Sequence, residues 1–268
     1  MTPGILSLVL AGAAGAVAGA AIWAVKRSRP ESSGLAVGLG VLLFFGTNAL
    51  LQREVVAPYR GRFEAETAEK EILKIRFYEE LKIHEPAMYR TLLGHVIDGA
   101  RRGTPLGLVG AGSRDDVAAV LTKCLPRASD GAVLGFMHVV LDEVVVLERK
   151  SPETAFRFLF SKKGEVLDLS AIPKALQERE LDSVAEIVKT GASAQRALLT
   201  QAEADALLQR VFLLLPDETR AQLAKAAEPH APGVDKAGLV RATKALYSAI
   251  LDLPDSDAAG ILRFMLKG

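Results

Sequence analysis

Two apolar runs at the start of the chain constrain its fold more than any other feature. Ile5 to Val25 carries no charge and a single serine. Leu35 to Leu51 follows the short stretch Lys26–Gly34, with Thr47 and Asn48 its only polar residues. Crossing a bilayer takes about 20 residues at about 1.5 Å each. The first run meets that length, and the second reaches the low end of the range with Gly34 added. Backbone groups in lipid must be bonded within the segment, so both runs are expected to be helices. The reading is a transmembrane hairpin over residues 1–52, with spans 5–25 and 34–51. A cleaved signal peptide would carry a basic region ahead of an apolar stretch of about 7–15 residues. Neither feature is present, so a retained anchor is expected.

Small residues crowd these spans. Gly15 and Gly19 form one G-x-x-x-G pair, and Gly34 and Gly38 form another. Helices in lipid associate by close backbone approach, which glycine permits. Asn48, the only Asn in the chain, adds a group that prefers a buried hydrogen-bonding partner. These five positions are the expected membrane-packing residues. One glycine face serves the hairpin's own packing; the rest are available to another membrane protein or a second copy.

Orientation follows from basic residues. Lys26, Arg27 and Arg29 crowd the connecting loop, while residues 1–4 carry none. That places the loop in the cytoplasm and exports the remainder. Arg53, Arg60, Arg62 and Lys70 after the second span argue the other way. The loop is denser and abuts the first span, so a periplasmic C-terminal domain is expected. Wealth in Ala, Leu and Arg with one Asn is the composition of a bacterial genome of high GC content. The expected location is therefore the bacterial inner (plasma) membrane.

Net charge is +1 and aromatic residues make up 6% of the chain. Neither a basic face nor a stacking platform for nucleic acid is indicated. One cysteine permits no internal disulfide. Residues beyond the hairpin suffice for one large domain or two small ones.

Helix grammar recurs through that remainder. A juxtamembrane helix is expected within 53–85, solvated over Glu64, Glu66 and Glu69 and apolar from Ile72 to Ile83. Domain 86–268 is then expected to be all-helical. Pro86 suits the first turn of a helix to about Arg102. Ser113 begins another, ending near Cys124. Ser129–Asp130 opens a helix to Lys150 that is apolar nearly all round until Glu148, the pattern of a bundle's centre. Clustered β-branched residues leave a strand alternative for Val139–Leu147. Ser151–Pro152–Glu153 starts a helix, with Gly164 as its stop. Two short helices around Asp182 are expected within 170–190. Thr200 and Glu203 read as a capping box. Further starts fall at Pro216–Asp217, Asp235 and Ser256, with Pro229–Gly233 a linker. With no hairpin turn signals, the class is all-α: a transmembrane helical hairpin followed by a multi-helix soluble bundle. Leu125–Pro126 and Ser129–Asp130 are echoed by Leu253–Pro254 and Ser256–Asp257, but the shared part is mostly helix-start grammar.

Residues able to carry chemistry are few. His138, Asp142 and Glu143 share one helix, with His138 and Asp142 at i,i+4, a spacing that suits acid–base work. They are the weak catalytic candidates, set against a polar spot on a core helix. His84 and His95 are separated by Pro86 and lack the spacing of helical zinc ligands, so no metal is expected. Cys124 falls at a helix end, where its thiol is not activated. Gly107, Gly110 and Gly112 resemble a phosphate loop, but Asp115 stands in place of the third glycine and Asp116 adds a second acid. No cofactor is expected. The best-supported expectation is a membrane-anchored, non-enzymatic interaction or assembly protein, a subunit or scaffold of a larger membrane complex. Its partners are the lipid bilayer and membrane proteins or copies of itself. The alternatives are a membrane-tethered hydrolase using His138 and nearby carboxylates, and a small oligomeric pore subunit.

Overall fold

The computed structural model describes residues 69–70, 72–101, 119–160, 171–193 and 196–266. The expected hairpin, with Gly15, Gly19, Gly34, Gly38 and Asn48, lies outside them, as do Gly107, Gly110 and Gly112. Every regular element among the described residues is helical, so the all-α class holds there. The strand alternative for Val139–Leu147 falls with it. No helix among the described residues is long and apolar enough to cross a membrane.

Nine α-helices are described: α1 Arg76–His84, α2 Pro86–Arg101, α3 Asp130–Lys150, α4 Pro152–Leu159, α5 Lys174–Ser193, α6 Gln201–Leu214, α7 Asp217–Leu223, α8 Lys236–Leu251 and α9 Asp255–Leu266. Short 3-10 turns cover Leu125–Arg127 and Ala224–Ala227. The helix starts follow from local capping. Ser129 Oγ accepts from Ala132 N, and Ser151 Oγ from Thr154 N. Asp235 accepts from Gly238 N. Thr200 and Glu203 complete the expected capping box. Each cap satisfies donors that the first helical turn leaves free.

α3 is the hub. It packs against α4, α5, α8 and α9, while α1 covers the outer side of α5. Its buried face presents Val133, Phe136, Met137, Val140, Val144 and Leu147. These join one core that extends from Ile72 to Leu266. Ion pairs stitch the outer seams: Arg76 to Glu186 at 2.8 Å between α1 and α5, and Lys236 to Glu153 at 2.8 Å between α8 and α4. Arg263, on α9, is almost fully buried. It donates twice to Ala128 O, at 3.1 and 2.8 Å, and to Asp130 at the head of α3.

Three boundaries depart from the sequence expectation. The juxtamembrane helix expected within 53–85 is not continuous: residues 73–74 turn, Ile75 is extended, and α1 starts afresh at Arg76. The break lets Ile72 and the Phe77–Tyr78 pair enter the same core. The two helices expected around Asp182 are one, α5, with Asp182 exposed midway along it. α4 ends at Leu159, with Phe160 as its buried cap, ahead of the Gly164 stop.

Candidate functional site

The helical period decides which of the α3 polar residues matter. Residues 136, 140, 143 and 147 lie on one stripe, the side that the helix buries. Glu143 therefore enters the core, and it is 1% exposed. His138 and Asp142 fall on the solvent side of the same helix. Asp142 is held by Arg179 of α5 at 3.0 Å, with both side chains about half exposed. The expected trio is thus split: His138 and Asp142 face water, and Glu143 faces away from them.

The partner of Glu143 comes from α5. Leu176, Val184 and Val188 mark the buried stripe of that helix, and Glu180 continues it at four-residue spacing. Glu180 is also 1% exposed. The two carboxyl groups meet across the α3–α5 seam. Glu143 Oε1 and Oε2 and Glu180 Oε1 are buried with no hydrogen-bond partner. Each acid acts on the proton affinity of the other across that seam. Burial is the largest force on both groups. It pushes Glu143 well above the ordinary carboxyl range, with neighbouring Glu180 opposing the rise and the charge of Asp142 adding to it. Burial and the neighbouring Glu143 hold Glu180 well above the ordinary carboxyl range. Two acids so placed titrate as a unit. The pair lies buried between α3 and α5, and that burial disfavours the charged form of both acids. Sealed from solvent, it has no face to offer a substrate.

Sequence reasoning named Glu143 for the wrong neighbours and passed over Glu180. The latter hides in the charged run Glu178–Arg179–Glu180, which reads as solvated surface. Extending the Leu176–Val184–Val188 stripe through position 180 is the signal that finds it.

The other candidates are dispersed. His84 turns to Glu80 within its own helix at 3.2 Å. His230 Nε2 lies 2.7 Å from Phe160 O and its ring meets Phe156 edge-on. Cys124 is buried, and burial pushes its thiol up to about 11, the state of an inert structural cysteine. Among the described residues no group of three or more His, Cys, Asp or Glu is placed to hold a metal ion. Comparison with known proteins gives no match: no family model, no curated protein and no solved structure resembles this chain.

Proposed function

We propose that this chain is a membrane-anchored, non-enzymatic interaction or assembly protein of a bacterial inner membrane, its helical bundle held at the surface by the N-terminal hairpin. The observation that carries this reading is the pair of charge-free runs, Ile5–Val25 and Leu35–Leu51, joined by nine residues, Lys26–Gly34. An N-terminal hairpin of that kind serves as an anchor. Support also comes from the bundle. Its imidazoles are scattered, its one thiol is buried, and its paired acids are sealed from solvent. Leu213 and Leu214, at the end of α6, are 70% and 71% exposed. Adjacent exposed leucines are apolar surface of the kind that partner contacts use.

Two measurements on the full-length chain test the reading. It should stay in the membrane fraction through alkaline carbonate extraction. Crosslinking in intact membranes should capture a neighbouring membrane protein or a second copy. Release by carbonate removes the anchor from the proposal, and a lone chain in membranes removes the assembly role.

A further inference from the structure

The anchoring and assembly reading makes no use of the Glu143–Glu180 pair, and apolar packing does not call for two carboxyl groups in the seam. Each glutamate occupies a stripe position where an apolar residue would pack without cost. Burying a charge that lacks a partner is expensive, and a buried acid avoids the cost by staying protonated. We infer that Glu143 and Glu180 form a proton-binding site that couples the seating of α5 on α3 to pH: the closed seam holds protons, and opening releases them.

Among the described residues, the charged groups on the elements around the pair are engaged elsewhere. On its own helices, Asp142 and Arg179 are bonded to each other at the surface. From α1, Arg76 reaches Glu186, and Glu80 lies against His84. From α4 and α8, Glu153 is paired with Lys236, and Lys244 with Glu148 of α3; Arg157 is half-buried and also engaged. From α9, Arg263 is committed to Ala128 O and Asp130. Before α3, Lys123 and Arg127 lie against Glu85. None of these donates to Glu143 or to Glu180 Oε1. The raised affinity of both acids for protons agrees with that isolation.

Linkage fixes the sign. When α5 lifts, the acids meet water and ionise in the ordinary carboxyl range. Opening therefore becomes easier as pH rises from that range toward the titration of the closed pair, by up to about tenfold per pH unit for each proton released. Seating is tightest in mild acid and loosens toward neutral pH.

The test uses full-length protein in mild detergent. Infrared spectroscopy at about pH 7 should show the C=O stretch of a protonated carboxylic acid, absent from Glu143→Gln/Glu180→Gln, since every solvated carboxyl is ionised there. Hydrogen exchange of α5 amides, corrected for intrinsic rates, should show an opening constant that rises roughly tenfold or more per unit between about pH 5.5 and about pH 7.5. The double Gln variant, isosteric and uncharged, should be flat over that range. Absence of the infrared band in the wild type overturns the proposal without reference to any variant. So does α5 exchange that is insensitive to pH, or that follows sodium concentration instead of pH. A double variant that keeps the wild-type slope assigns the effect elsewhere and also overturns it.

Discussion

Gly191→Ala should destabilise the bundle although alanine is the better helix former. Gly191 lies near the end of α5, where the helix passes the backbone of Cys124. A Cβ at that position would stand 2.3 Å from Cys124 O and 2.9 Å from its carbonyl carbon. Ordinary contact begins at 3.4 Å, so about 1 Å of separation has to be found. The obstructing atoms are main chain, and no rotamer change removes them. α5 must shift away from the Leu125–Arg127 turn, loosening the packing of both. Overpacking of this kind costs about 1–3 kcal/mol. Higher helix propensity returns about 1 kcal/mol at most; a clash with main-chain atoms, which cannot rotate away, lies at about 2–3 kcal/mol of the overpacking range, so a net loss of roughly 1–2 kcal/mol is expected. For a folded body of this size that lowers the unfolding temperature by about 2–8 °C. The matched control is Gly135→Ala in α3, whose added methyl meets nothing within 4 Å. It should raise stability by up to about 1 kcal/mol. Thermal unfolding of the full-length protein followed by circular dichroism reads both. A Gly191→Ala protein as stable as the wild type, or more so, would refute the close approach of α5 to Cys124.

Three further outcomes are expected. The stability advantage of the wild type over Glu143→Gln/Glu180→Gln should shrink as pH rises: burial raises both acids above their solvated range, so the pair's contribution is complete below that range and is lost as pH rises through the titration of the closed pair. Denaturant titrations at several pH values check this, and a gap that widens with pH would reverse the sign of the argument. Phe136→Ala, at a fully buried position of α3, should cost about 3–5 kcal/mol; near-normal unfolding would mean that α3 is not the hub. Gly15→Leu with Gly19→Leu should leave insertion intact and abolish crosslinking to a neighbour, since bulk is added without loss of hydrophobicity; undiminished crosslinking would place the contact elsewhere.

Helix starts were legible in the sequence because a cap is a local event. Ser129, Ser151, Thr200 with Glu203, and Asp235 bond to amides three residues on, and a short window of residues contains the whole interaction. Helix stops and continuations were less so. Asp182 looks like a start signal, yet α5 runs through it because the flanking residues 181 and 184 are buried on one stripe. Ile75 carries no breaker chemistry; the bend before α1 arises from the pull of Ile72 and Phe77 into one core. The site shows the same division. His138 and Asp142 at i,i+4 are a local pattern, and it pointed to the solvent face. The Glu143–Glu180 encounter joins residues on different helices, and only packing brings them together.

Arg263 ties α9 to the head of α3 across 133 residues of sequence. At roughly 5–20 residues per second, a ribosome takes about 7–27 s to cover that distance. Through that interval Ala128 O waits without the guanidinium that will satisfy it, and Asp130 has at most Arg196. The hub helix thus emerges long before the segment that locks it, and its apolar faces stand open meanwhile. Contacts this distant in sequence also slow folding itself. The nascent chain is consequently most exposed to misassociation late in synthesis, and a frameshift or stop ahead of residue 263 would release a bundle whose centre has been made but never closed.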